Sequence, residues 1–134
     1  VYPEPALLPK DAAGRAKVRA IAAIVGCDIH PLGNLRVLNA VRALNGDPAA
    51  WTIGWIKEGF DAIEALLADA PAGDWCWGEE PGLVDCYVAA QIYAAVSRYG
   101  FDMAPYPRLS RMAGAAEAHP AFIKAHPLHQ PDAV

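Results

Sequence analysis

Apolar side chains recur along most of the chain at the three- and four-residue spacing of amphipathic helices. The first such segment follows Asp11, a residue type that caps helix N-termini. We expect Gly26 and Pro31 to interrupt this helix, because glycine and proline disfavour a helix interior. Its apolar positions are Val18, Ile21, Ala22 and Val25.

Two more amphipathic segments follow. One stops at Asn45-Gly46, and the next begins at Pro48, because proline is favoured in the first turn of a helix. The apolar positions of the first are Val37, Val41 and Leu44. Those of the second are Ile56, Phe60, Ile63 and Leu67, and Trp51 and Trp55 broaden this stripe.

The most apolar segment of the chain runs from Leu83 to Val96. A helix that is apolar all round is buried on all sides, so this segment is predicted to be the central helix. Asp85 lies three residues after Gly82, and we expect its carboxylate to reach back to the free N–H groups at the start of that helix.

Two later segments, one opened by Pro105-Tyr106-Pro107 and one by Pro120, complete the helical pattern. The sequence has no convincing strand pattern. It therefore predicts an all-α fold, a helical bundle of five to six helices around a buried central helix. Residues 1–10 contain three prolines and are expected to form an extended linker, which leaves 11–134 as the helical domain.

Composition narrows the class of protein. The 134 residues are 54% hydrophobic, which suits one domain with a sizeable core, and the net charge is -4. This acidic balance argues against nucleic acid as a partner, since its binding proteins carry a basic stripe. The three cysteines form no C-x-x-C pair, and no apolar run approaches the length of a membrane span. We therefore expect a cytoplasmic protein with reduced thiols and no membrane partner.

Residues with obvious chemistry are sparse. His119, His126 and His129 lack the i, i+4 spacing of helical metal ligands, so no metal site is expected. Neither a G-x-S-x-G motif nor a glycine-rich phosphate loop occurs, and we assign no catalytic residue within this chain.

The segment from Cys27 to Arg36 holds the best binding candidates. It places His30, Asn34 and Arg36 around a helix restart, where free backbone N–H groups and the helix dipole favour an anion. A guanidinium, an imidazole and an amide together suit a carboxylate ligand. A helix break with a solvated arginine explains the same residues, and on these residues alone it is the favoured interpretation.

Several blocks of sequence carry a family resemblance that spans nearly the whole chain, in order. The two most specific are Ile29-His30-Pro31 with Asn34, and the tail Gln130-Pro131-Asp132. The others are Trp55-Ile56 with Gly59-Phe60, Glu64 to Leu67, Leu83 to Tyr87, Gln91-Ile92, Asp102, Pro105 to Pro107 and His119 to Phe122. In these blocks the chain resembles the zeta class of glutathione transferases, which includes isomerases of maleylacetoacetate and maleylpyruvate.

The resemblance implies a function in the breakdown of aromatic compounds. In this family a thioredoxin-like domain comes first, binds glutathione and holds its thiolate at a helix N-terminus. We expect such a domain before the linker, and we expect the helical domain alone to be inactive. The intact protein is then a glutathione-dependent cis–trans isomerase of maleylacetoacetate or maleylpyruvate, and a homodimer. Addition of the thiolate to the cis double bond allows rotation, and elimination restores the bond as trans.

The resemblance also nominates four binding residues. Arg36 and Arg98 are expected to bind the carboxylates of a small dicarboxylate substrate. His30 and Asn34 are expected to orient glutathione or the substrate.

The position of the second arginine is open to two alignments, because Gln91 to Pro105 is one residue longer than in close relatives. Either Ser97 or Arg98 occupies the family's arginine position. We prefer Arg98 because an aromatic residue, Tyr99, follows it as in the family.

Two other functions fit the sequence. One is a zeta-like transferase that acts on another small electrophile, such as an α-halo acid. The other is a free-standing, non-catalytic helical interaction module, whose exposed apolar face would need another partner.

Overall fold

A computed structural model describes residues 4–133 of the chain. The first three residues of the expected linker, and Val134, lie outside the described residues. The described part contains no strand, only an isolated bridge between Trp75 and Gly78, and the all-α prediction is confirmed. The helices are α1 (Ala12–Ala23), a π-helical segment (Ile24–Ile29), α2 (His30–Leu32), α3 (Leu35–Ala43), α4 (Pro48–Leu66), α5 (Leu83–Tyr99), α6 (Pro107–Ala118) and α7 (Pro120–Ala125). Short 3-10 turns cover Leu67–Asp69 and Pro127–His129.

The first helix starts where the sequence predicted but continues beyond Gly26. Asp11 caps α1 by accepting the backbone N–H of Gly14 at 2.7 Å. The predicted interruption at Gly26 is wrong, since the chain runs on through the π-helical segment into α2. Gly26 faces the central helix, where a Cβ atom would lie 3.3 Å from Cε1 of Tyr87, so this glycine allows a close approach. Pro31 lies near the end of this continuous helix, since α2 ends at Leu32.

The third predicted segment, α4, supplies much of the core. The four apolar positions predicted for it are all buried, and Asp47 caps its start by accepting the N–H groups of Ala49 and Ala50. The prediction that Trp51 broadens the buried stripe is wrong, because this side chain is 37% exposed. Trp51 lies near the start of α4, where its indole N–H donates to the carbonyl of Leu32 at 3.0 Å.

The central helix is α5, which packs against α1, the π-helical segment, α4 and α6. Asp85 reaches back as predicted: Oδ2 accepts the Gly82 N–H and Oδ1 accepts the Cys76 N–H, both at 2.8 Å. The prediction that α5 is buried on all sides is wrong, because Tyr87 is 43% and Val96 is 45% exposed. Its neighbours cover part of its circumference, and the rest faces outward in this domain.

The linker is tied to two helices. The Leu7 carbonyl accepts the N–H of Leu83, the first residue of α5, at 2.8 Å. The Arg15 guanidinium on α1 donates to the carbonyls of Pro9 and Lys10. These bonds give residues 7–10 a defined path across the starts of α1 and α5.

Within residues 4–133, no single helix is long and apolar enough to cross a membrane. One bent pair of helices, Ala12–Leu32 with Leu35–Ala43, meets the criteria of length and composition for a membrane span. Core helices of soluble proteins meet the same criteria.

Candidate functional site

The π-helical segment is held between two helices by close contacts at two glycines. On α4, a Cβ atom at Gly59 would overlap the side chain of Ile29. On the segment itself, Gly26 lies against the ring of Tyr87 from α5. Single π-helical turns often occur at functional sites, since they redirect the residues that follow. Here the residues that follow are His30 and the start of α3, so this clamp sets the position of the predicted binding segment.

The structure places three of the predicted binding residues in one short stretch. His30 is exposed at the start of α2, and Arg36 is exposed in the first turn of α3. Asn34 is the N-cap of α3, and its Oδ1 accepts the Arg36 N–H at 3.0 Å. The Asn34 oxygen is therefore used within the fold, and its amide nitrogen remains available to a ligand.

Arg98, the fourth predicted residue, is exposed in the last turn of α5. It lies eleven residues after Tyr87, and at 3.6 residues per turn the two differ by only about 20° around the helix. Ser97 lies about 80° away on the other side. Arg98, and not Ser97, therefore shares the α5 face that meets the π-helical segment at Gly26.

Neither arginine is neutralised by a carboxylate in the part of the chain that the structure describes. The ion pairs there are Lys17–Asp69, Lys57–Asp61 and Arg108–Glu64. Likewise, no hydrogen bond joins Arg98 to His30, Asn34 or Arg36 among these residues. The described residues thus offer two exposed cations, one on α3 and one on α5, and both suit a carboxylate.

Two cavities in the described part of the chain lie away from the candidate residues. One cavity of about 150 Å³ lies between the linker and the start of α5, and another of about 310 Å³ lies between α4 and α6. None of the four predicted residues lines either cavity. Because a small-molecule site normally surrounds most of its ligand, these exposed residues would by themselves form one wall of such a site.

Local structure accounts for two of the cysteines and two of the histidines. Burial raises the pKa values of the Cys76 and Cys86 thiols, so neither is poised as a thiolate. His119 and His126 accept the backbone N–H groups of Ala121 and Leu128 through Nδ1, which caps the turns that follow. Among residues 4–133, no group of three or more His, Cys, Asp or Glu side chains is arranged to hold a metal ion.

The contacts that hold the π-helical segment between α4 and α5 were not predicted from the sequence. The sequence pattern predicts a helix end at Gly26. It indicates neither the contact between Gly26 and Tyr87 nor the one between Gly59 and Ile29. A glycine inside an otherwise helical pattern was the available signal, since such a residue often marks a close helix contact.

Residues 49–111 match the family model of the glutathione S-transferase C-terminal domain. The chain is 47% identical to maleylacetoacetate isomerase from Pseudomonas aeruginosa, over 98% of this chain and 61% of that protein. The chain spans 61% to 64% of the length of the first curated relatives it matches.

Solved structures of isomerases with the same names are also similar to this chain. The holo structure of a bacterial maleylpyruvate isomerase, a zeta-class glutathione S-transferase, superposes with a TM-score of 0.93 at 47% identity, covering 99% of this chain and 65% of that one. Maleylacetoacetate isomerase from Anaeromyxobacter dehalogenans, solved with dicarboxyethyl glutathione and citrate in its active site, superposes with a TM-score of 0.91 at 42% identity, covering 98% of this chain and 60% of that one.

Proposed function

The chain belongs to the zeta-class glutathione transferases as their C-terminal helical domain, and from this premise we propose that it forms the substrate-binding half of a glutathione-dependent cis–trans isomerase. The proposed substrates are maleylacetoacetate and maleylpyruvate. The observation that carries the proposal is the pair of exposed arginines, Arg36 and Arg98. Arg36 is on α3, which comes after the π-helical segment and α2, and Arg98 is on α5, which contacts that segment at Gly26 and Tyr87. Two cations that form no ion pair within residues 4–133 suit a substrate with two carboxylates.

We propose that a thioredoxin-like domain completes the site. This chain spans about three fifths of its relatives, and their remaining length is enough for such a domain. Tyr87 and Val96 are exposed apolar side chains on opposite sides of α5, and another domain could cover one of them. We also propose a homodimer in the cytoplasm, with 1–10 as the linker and 11–134 as the helical domain.

The residues of this chain fit a role in binding and orientation. Glutathione, when bound, supplies the thiol whose reversible addition allows the cis double bond to rotate. Arg36 and Arg98 hold the substrate carboxylates, which places the double bond beside that thiol and lowers the entropic part of the barrier. His30 and the amide nitrogen of Asn34 orient glutathione or the substrate from the start of α3. Cys76 and Cys86 do not fit the nucleophile, because their pKa values are raised.

The experiment is a comparison of substrates on the full-length protein. Maleylacetoacetate, maleylpyruvate and an α-halo acid are each supplied with and without glutathione, and the trans product or the released halide is measured. We expect glutathione-dependent isomerisation of at least one maleyl substrate. Turnover of the α-halo acid alone would favour a zeta-like transferase with another substrate. No turnover of any substrate, with self-association of the protein, would favour a non-catalytic interaction module.

A further inference from the structure

Gln91 on the central helix is a buried polar residue without a partner. Its side chain is 9% exposed, and among residues 4–133 it makes no side-chain hydrogen bond. The two other buried polar residues are satisfied: Asp85 accepts two backbone N–H groups, and Thr52 donates its hydroxyl to the Pro48 carbonyl. Gln91 differs from both, because its amide has no partner among residues 4–133.

The amide of Gln91 keeps contact with the surface. In the described part of the chain, no fully buried side-chain nitrogen or oxygen lacks a partner, so the small exposed fraction of Gln91 includes its amide. Its aliphatic stem is packed at the edge of the core, and the tip of the side chain opens outward. This arrangement holds a donor and an acceptor in a fixed place at low entropic cost to a ligand.

The position of Gln91 on α5 connects it with the candidate site. It lies one turn after Tyr87 and about 40° around the helix from it, on the side that meets the π-helical segment. Arg98 follows seven residues later on the same face, which is about 10 Å along the helix axis. Helix side chains lean toward the N-terminus, so the long Arg98 side chain can reach back toward the Gln91 amide, and the two groups can contact the ends of one small dicarboxylate.

We propose that Gln91 is a further substrate-binding residue, whose side-chain N–H donates to a carboxylate of the dicarboxylate substrate while Arg98 binds the other end. This inference rests on the proposed function for the identity of the substrate. A glutamine is suited to this place because its neutral amide is buried without the penalty that a charged side chain would carry.

The test is a binding measurement on the full-length protein saturated with glutathione. Malonate serves as the unreactive dicarboxylate, and calorimetry gives its Kd and, separately, that of glutathione. We expect Gln91→Met, which keeps the size of the side chain, to raise the malonate Kd about tenfold, because a hydrogen bond to a charged group is lost. The Kd of glutathione should stay within about twofold. Gln91→Glu should weaken malonate binding further, since it places a negative charge beside a carboxylate.

A matched control is Gln130→Met. Gln130 donates its amide to the carbonyls of Lys124 and His126, so this variant should lower the melting temperature and leave the malonate Kd unchanged. Circular dichroism establishes that each variant is folded, and Gln91→Ala replaces Gln91→Met if the latter is not.

The possible results distinguish a failure of this inference from a failure of the proposed function. Unchanged malonate binding in a folded Gln91 variant overturns the inference, and so does a loss confined to glutathione. An unsubstituted protein that binds no malonate also overturns it. If that protein binds malonate but isomerises no maleyl substrate, the proposed reaction is wrong, while the effect of Gln91→Met on malonate binding still decides the role of Gln91.

Discussion

Glu64 on α4 caps the start of α6 from a distance of 45 residues, with its Oε2 accepting the backbone N–H of Leu109 at 3.1 Å. Its other oxygen accepts the N–H of Arg108 at 2.9 Å and lies 3.3 Å from the Arg108 guanidinium. The first N–H groups of a helix lack partners within that helix, and a carboxylate there also complements the helix dipole. One side chain thus fixes α6 against α4.

Replacing Glu64 should destabilise the domain. Glu64→Ala removes the acceptor of two half-buried backbone N–H groups, and we expect the free energy of unfolding to fall by about 1 to 2 kcal/mol. Urea denaturation followed by circular dichroism gives this value. Glu58→Ala is the control, because Glu58 is exposed on the same helix, and its effect should stay within about 0.5 kcal/mol. Equal effects of the two variants would contradict the capping role.

Two glycines of α4 should respond to alanine in opposite directions. A Cβ atom at Gly54 meets nothing within 4 Å, so Gly54→Ala should stabilise the helix by about 0.5 to 1 kcal/mol. A Cβ atom at Gly59 overlaps the side chain of Ile29, so Gly59→Ala should destabilise by about 1 to 3 kcal/mol through overpacking. Thermal unfolding of both variants measures the difference. A stabilised Gly59→Ala protein would mean that the π-helical segment is not clamped there.

Much of the fold could be predicted because local signals determine where helices start. Asp11 and Pro48 mark helix starts through their own side chains, and Asp85 reaches a backbone N–H three residues away. The course of the first helix past Gly26 could not be predicted in this way. It depends on the Tyr87 ring, which comes from a distant part of the chain and packs where glycine leaves room.

The residues of the candidate site also differ in how far local sequence predicts them. His30, Asn34 and Arg36 are close in sequence, so one motif was enough to group them. The choice between Ser97 and Arg98 depends on the orientation of α5, in which Arg98 lies on the side of Tyr87 and Ser97 does not. The roles of all four predicted residues stay predictions.

Stability should fall in alkali through Tyr106. Burial and a 2.9 Å hydrogen bond to Asp61 raise the pKa of Tyr106 to about 12, against about 10 in an unfolded chain. The folded state therefore holds this proton more tightly, so its stabilising effect is complete below pH 10 and is lost as the pH rises toward 12. Ultraviolet difference spectra of the unsubstituted protein and Tyr106→Phe should locate this phenolate titration. Its appearance near pH 10 would contradict the predicted shift.

Substitution of the two arginines should impair use of the dicarboxylate more than use of glutathione. Arg36→Ala and Arg98→Ala each remove a charged donor, and we expect KM for the maleyl substrate to rise about 10- to 100-fold in the full-length enzyme. Lysine at either position should restore part of the loss, since it keeps the charge but not the planar geometry of two donors.

The matched controls for these arginines lie on the same helices. Arg42 on α3 donates to Asn39 at 2.8 Å, and Ser97 precedes Arg98 on α5. Arg42→Ala and Ser97→Ala should leave both KM values within about twofold, because the first lies two turns from the helix start and the second faces about 80° away from Tyr87. A large effect of Ser97→Ala with none from Arg98→Ala would place the family's arginine position at residue 97. In that case the face of α5 that carries Tyr87 and Gln91 would not be the one that meets the substrate.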